Sequence, residues 1–402
     1  MAKLANAKVS FPGSAGNLLA AALEAPPGRP RAYALFAHCF SCSKDVRAAR
    51  FVSEALRREG FAVLRFDFTG LGQSEGDFSN TNFSSNVGDL TAAAKFLEES
   101  YEAPELLVGH SLGGAAAIVA ASAMPSVKAV AAIAAPAEAG HVLSHFHLRE
   151  DEIRNSEGAV VTLGGREFRI TKQFLDDISK QNVEAAAAAL KRPLLLLHSP
   201  RDEVVGIENA GRLFAAAKHP KSFISLEGAD HLLNGKADAL YAGRAIAAWA
   251  ARYLELDLDH GRGELEPSDG VVAYSSDAGR FTTVARASGH QWIIDAGLED
   301  GGDGYGPNPT KVAEAALAAC GVMTVKMYAE RKKWPLERVA IRVRPDPDAK
   351  DQDAHALKSV IKELSAEGPL DEAQKARLLE IADKCPVHRM LTEGVRVVSR
   401  LR

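Results

Sequence analysis

The 402-residue sequence predicts a mostly parallel α/β sheet covered by helices on both faces, with a smaller α+β unit behind it. Three observations carry this prediction. Continuous apolar runs such as Ala32 to Phe40, Leu106 to Val108 and Pro193 to Leu197 read as strands buried on both faces, as a parallel sheet requires. Stretches of helical period separate these runs. A charged segment punctuated by Gly and Pro, 257–270, then reads as a linker, and the pattern changes beyond it.

In chain order, 8–25 suggests an opening β-hairpin, and 32–40 and 62–68 read as buried strands. Between them Val46, Ala49, Val52 and Leu56 recur at helical spacing, and Gly60 closes that helix. Strands are predicted at 105–109, 127–135, 193–199 and 222–226, and a helix at 236–254 ends the first unit, taken as 1–256. A more polar insertion, 137–190, is placed to cover the site as a cap. Its His141, His145 and His147 read as a solvated helical face rather than a metal site. In the second unit, 271–402, β-rich stretches run from Phe281 to Asp295 and a Gly/Pro loop from Gly301 to Pro309. Pro309 opens a long apolar helix that Trp334-Pro335 must end. Val339, Ile341 and Val343 alternate as a half-buried strand. A helix is expected at 371–384 and a final strand at 394–401, while 354–366 is ambiguous between helix and strand.

Hydrophobic residues make up 47% and charged residues 25%, a globular profile. The net charge of −4, with no long run of one sign, gives no support to nucleic-acid or membrane-surface binding. No unbroken apolar stretch approaches a membrane span. Met1 to Ser10 lacks the apolar core of a signal peptide, so a cytoplasmic setting is expected. No cofactor and no metal are expected.

Gly109-His110-Ser111-Leu112-Gly113-Gly114 follows an apolar strand and precedes the small helix formers Ala115 to Ala123. A Gly-x-Ser-x-Gly in that context forces the serine into a tight turn that needs small neighbours and lifts its hydroxyl above the sheet. A serine is a poor nucleophile until a histidine takes its proton and a carboxylate holds that histidine. Asp202, directly after strand 193–199, suits the acid, with Glu203 and Asp230 as neighbouring competitors. His231, after the last strand, suits the base. Oxyanion donors are expected at the Leu112 N–H and in the loop after strand 32–40, at Phe40 or nearby. Together with Asp67-Phe68-Thr69-Gly70-Leu71-Gly72-Gln73-Ser74, these residues resemble the α/β-hydrolase superfamily over about 1–256. That resemblance implies the α/β-hydrolase fold and hydrolysis of a small-molecule ester or thioester through an acyl-enzyme. It departs at His38-Cys39, where the family usually has His-Gly. Cys39 and Cys42 read either as two ordinary loop cysteines or as a disulfide that distorts the oxyanion loop and switches hydrolysis off.

Cys320 lies in mid-helix, and Cys385 precedes Pro386, which suits a helix start whose dipole favours a thiolate, with His388 nearby. Gly306-Pro307-Asn308-Pro309, the segment from Met327 to Glu337 and the Cys-Pro pair together resemble the OsmC/Ohr superfamily over about 271–402. The resemblance implies an intertwined homodimer that reduces organic hydroperoxides at the expense of an external thiol, with Cys320 peroxidatic and Cys385 resolving. Peroxidase members carry a glutamate after the helix-opening proline, holding an arginine over the thiolate. Here Thr310 and Lys311 follow Pro309, and Arg286 and Arg280 are the candidate arginines. The alternative is a redox-sensing or dimerisation module fused to a hydrolase.

Overall fold

The computed structural model describes residues 7–26, 30–39, 41–141, 150–156, 158–163, 166–254, 270–276, 279–288, 290–348 and 359–401. The chain divides into two compact units, residues 1–268 with 276–278 and residues 269–275 with 279–402. The proposed linker, 257–270, lies almost wholly outside the described residues, as do Phe40, His145 and His147.

The first unit is built on β1 (Ala7–Pro12), β2 (Leu18–Glu24), β3 (Ala32–Ala37), α1 (Arg47–Arg58), β4 (Phe61–Phe66), α2 (Phe83–Ser100), β5 (Leu106–His110), α3 (Leu112–Ala120) and β6 (Ala129–Ile133). It continues through α4 (Glu150–Asn155), β7 (Ala159–Leu163), β8 (Arg166–Ile170), α5 (Lys172–Ile178), α6 (Val183–Ala189), β9 (Leu194–His198), α7 (Glu208–Ala216), β10 (Lys221–Ser225) and α8 (Lys236–Ala250). Eight strands form one sheet in the order β1-β2-β4-β3-β5-β6-β9-β10. β1 and β2 are antiparallel, and β4 through β10 run parallel. Alternate strand residues feed two separate cores. Leu35, Leu64, Leu107 and Leu196 pack with α2 and α3, whereas Phe36, Val63, Val108 and Leu197 pack with α1 and α8. This two-sided burial is why the strands read as unbroken apolar runs. Local signals fix the helix ends. Asn82 and Ser85 form a capping box at the start of α2, and Gly60 takes φ +96° after α1.

The insertion packs more apolar surface than its polar composition suggests. The antiparallel hairpin β7–β8 and helices α4 to α6 bury Ile153, Val161, Phe168, Phe174, Leu175, Ile178 and Val183 in the same core as α2 and α3. Its charged residues alternate with these apolar ones, so mean polarity conceals an amphipathic element.

The second unit holds the antiparallel sheet β11 (Val272–Ser275), β12 (Thr283–Ala287) and β13 (His290–Ile294), then helix α9 (Pro309–Lys332). The antiparallel pair β14 (Arg338–Pro345) and β15 (Val360–Glu367) follows, with α10 (Glu372–Ala382) and α11 (Pro386–Glu393). The ambiguous segment 354–366 thus resolves as a strand from Val360, with 349–358 outside the described residues. Val325, Ala329, Leu378, Ile381 and Ala382 form its core. Two expectations are corrected. Residues 394–401 form no strand; they are exposed and pair with nothing among the described residues, and a strand exists only through its ladder. Helix α9, at 24 residues, is long and apolar enough by length and composition to cross a membrane. Lys311, Glu314 and Lys326 break every continuous apolar run in it, which hid this average from the sequence reading.

Candidate active site

The turn between β5 and α3 is crowded. A Cβ on Gly109 would lie 2.3 Å from the Gly113 carbonyl oxygen, and one on Gly113 would lie 2.3 Å from the His38 carbonyl oxygen. Only glycine permits these approaches. They press the loop after β3 against the first turn of α3. Ser111 itself sits at φ +56°, an uncommon conformation for a residue with a Cβ, and its N–H donates to Ile133 O at 2.8 Å. Gly109→Ala is expected to cost about 1–3 kcal/mol through overpacking and to displace Ser111. A lowered melting temperature together with lost ester turnover checks this, and an unchanged melting curve refutes it.

The structure brings Ser111, His231 and Asp202 together. His231 Nε2 lies 3.0 Å from Ser111 Oγ, and His231 Nδ1 lies 2.8 Å from Asp202 Oδ2. Asp202 Oδ1 accepts the N–H groups of Val204 and Val205, each at 2.9 Å. The competitors fall away by position. Glu203 is exposed, and Asp230 is turned to Asn234. Burial pushes Asp202 upward, but hydrogen bonds from His198 and His231 and the Val205 N–H outweigh it, so the carboxyl is held well below its usual range. It is an anion at neutral pH, able to orient an imidazole whose Nδ1 carries the proton.

Two further histidines, missed in the sequence, brace this arrangement. His198, at the end of β9, places Nε2 2.7 Å from Val205 O and 3.4 Å from Asp202 Oδ2. Its position four residues before the acid was the available signal. His110 is fully buried and its Nε2 lies 2.7 Å from the His231 carbonyl oxygen, while Nδ1 has no hydrogen-bond partner among the described residues. A neutral ring with the proton on Nε2 satisfies this geometry. Burial first, then the neighbouring His231, lower its pKa from 6.5 to about 4. Between those values an unfolded chain takes up a proton that the folded chain excludes, so stability falls as pH drops from 6.5 towards 4. The full shift corresponds to about 3 kcal/mol. Urea unfolding at pH 7 and pH 4.5 should show this slope, and His110→Gln should flatten it; a variant with the wild-type slope refutes the assignment.

Leu112 is the first residue of α3, where backbone N–H groups lack helical partners. Phe40, the other expected donor, lies outside the described residues. Its neighbours are well held. His38 Nδ1 lies 2.7 Å from Cys39 O, and burial lowers the His38 pKa. Cys39 and Cys42 are joined by a disulfide, with Cα atoms 5.2 Å apart. Nearby, the buried Asp67 accepts the Lys44 N–H at 2.6 Å, Lys44 Nζ at 2.8 Å and the Gln73 N–H at 2.9 Å, fixing the turn after β4. His141 Nε2 lies 2.8 Å from Val204 O.

In the second unit Cys385 is buried at the N-cap of α11, and its sulfur accepts the His388 N–H at 3.3 Å. Burial pushes its thiol up, and Cys320, half-buried on α9, adds to that shift as its neighbour. The two candidate arginines have described partners of their own. Arg286 bonds Gln291 Oε1 at 3.0 and 2.8 Å and lies over the Tyr274 ring. Arg280 lies over Phe281, 4.8 Å from the ring centre. Lys311 pairs with the buried Glu314 at 2.8 Å.

Comparisons with known proteins find two families in the chain. A family model described as the alpha/beta hydrolase family matches residues 34–315, and one described as OsmC-like protein matches 301–400. Palmitoyl-protein thioesterase ABHD10, mitochondrial, of Mus musculus is 27% identical over 196 residues, which are 46% of this chain and 64% of that protein. The chain therefore spans just under two thirds of that relative's length. Monoglyceride lipase of Rattus norvegicus is 26% identical over 242 residues, 52% of this chain and 78% of the lipase. The crystal structure of the esterase domain from a Rhodothermus marinus protein is 49% identical with a TM-score of 0.51, covering 61% of this chain and 98% of that one.

Proposed function

The chain belongs to the alpha/beta hydrolase family and carries an OsmC-like domain at its C-terminus, and from that premise we propose that it hydrolyses an ester or thioester through an acyl-enzyme on Ser111. The observation that carries this is the 3.0 Å approach of His231 Nε2 to Ser111 Oγ, backed by Asp202 at 2.8 Å on the other ring nitrogen. Ser111 Oγ attacks the carbonyl carbon as its proton passes to His231 Nε2. The Leu112 N–H stabilises the oxyanion, and the alcohol or thiol leaves with the proton from His231. Water, deprotonated by the same imidazole, then releases the acid. The similarity to an esterase domain and to a palmitoyl-protein thioesterase supports this substrate class. A series of p-nitrophenyl esters and palmitoyl thioesters of rising chain length tests it. Saturable turnover of one class is expected, and no turnover across both series sinks the reading. The Cys39–Cys42 bond ties the loop packed against α3, and in this scheme reducing it changes turnover. Equal ester hydrolysis before and after dithiothreitol ends that idea.

For the C-terminal domain the reading is reduction of an organic hydroperoxide by the neighbouring Cys320 and Cys385, with an external thiol regenerating them and a homodimer as the working form. Exposed Met323 and Met327 on α9 support the dimer. Cumene hydroperoxide with dithiothreitol should be consumed catalytically, and Cys320→Ser should abolish this. The complete burial of Cys385 favours a second reading, a redox-sensing or dimerisation module. Consumption no faster than in the Ser variant selects it.

A further inference from the structure

We propose that Lys362 supplies the positive charge that stabilises the Cys385 thiolate when Cys320 and Cys385 pass between thiols and disulfide. The inference rests on the reading that this pair is redox-active.

Lys362 lies on β15 with its side chain only 9% exposed. Its ammonium is gathered into the turn that carries Cys385. Nζ donates to Ala382 O at 3.0 Å, pairs with Asp383 Oδ1 at 2.5 Å and lies 3.5 Å from His388 Nδ1. Ala382 and Asp383 end α10, and Cys385 and His388 open α11. The His388 N–H that points at the Cys385 sulfur thus belongs to the same residue whose ring meets the ammonium. The groups acting on the thiol are Cys320 from α9, Lys362 from β15 and His388 on α11, and Asp383 at the end of α10 pairs with Lys362 and His388. Cys320 and burial disfavour the thiolate, while Lys362 and the His388 N–H favour it. A cation near a buried sulfur favours its thiolate. The competing structural role is plain: an ammonium on the last carbonyls of α10 is a helix C-cap.

The chemistry balances as follows. The Cys320 thiolate attacks a peroxide oxygen of ROOH, the O–O bond breaks, and alkoxide leaves and is protonated to ROH, giving a sulfenic acid. The Cys385 thiolate then attacks that sulfur, the S–S bond forms, the S–O bond breaks, and hydroxide leaves and takes a proton to become water. Two thiols are oxidised and one hydroperoxide is reduced; an external dithiol returns the pair to thiols. Lys362 acts in the second step, raising the fraction of Cys385 present as thiolate.

The test uses the full chain in a Cys320→Ser background, following Cys385 thiolate absorbance near 240 nm against pH, with a further Cys385→Ser variant as blank. Lys362→Gln keeps a donor for Ala382 O without the charge, and Lys362→Arg keeps the charge. The proposal expects about tenfold less thiolate at a given pH in Lys362→Gln, and recovery in Lys362→Arg. An unchanged titration in Lys362→Gln, or an equal loss in both variants, overturns it and leaves Lys362 as a cap. Circular dichroism of each variant separates a folded loss from an unfolded one, and thermal unfolding of Lys362→Gln alone would read the cap. No peroxide enters the titration. A charge effect without peroxide turnover therefore overturns the peroxidase reading, not the role of Lys362.

Discussion

Ser111→Ala will lower kcat for ester hydrolysis by about 10⁴-fold or more while leaving the fold intact. The substitution removes one oxygen at a position where the backbone already tolerates a Cβ at φ +56°. No packing contact of comparable size is lost, because the hydroxyl's described partner is His231 Nε2 at 3.0 Å. What survives is the Leu112 donor and substrate binding, which alone leave a small residual rate. The check is steady-state turnover of the best p-nitrophenyl ester, with circular dichroism and melting temperature alongside. Retained activity in a folded variant would remove Ser111 from the nucleophile's role.

Asp202→Asn is expected to cost about 10⁴-fold in kcat, with KM little changed. The carboxylate takes the His231 Nδ1–H at 2.8 Å and two backbone N–H groups at 2.9 Å. An amide in its place can present an N–H towards His231, which forces the proton to Nε2 and closes the base to Ser111. The same substitution reads the acid limb of stability. A carboxyl held below its unfolded pKa contributes stability that is fully present above that value and is lost as pH falls through the lower folded value. The variant should lose this share of its acid sensitivity in urea titrations near pH 3 compared with pH 7. Similar slopes in both proteins would contradict the depressed carboxyl.

The central strands were legible because β3, β5 and β9 are buried on both sides, and such burial writes itself as unbroken apolar sequence. The insertion was less so. Phe168 and Ile170 enter the core from a hairpin strand whose other face is Glu167 and Arg169. The tail 394–401 alternates apolar and polar residues, yet alternation describes a face and cannot supply a partner strand. At the site, Ser111, Asp202 and His231 were readable from order along the chain and from their places after strands. The supports were not. His110 meets the His231 carbonyl across 121 residues, and Lys362 meets His388 across 26, and no local pattern encodes such pairings.

The crowding around Gly109 and Gly113 bears on how this protein can be diversified. In a saturation library, the turn that presents Ser111 should be among its least permissive stretches, and for reasons of shape, since the atoms a new Cβ would meet are backbone and cannot rotate away. Inactive variants at those glycines therefore carry no information about chemistry.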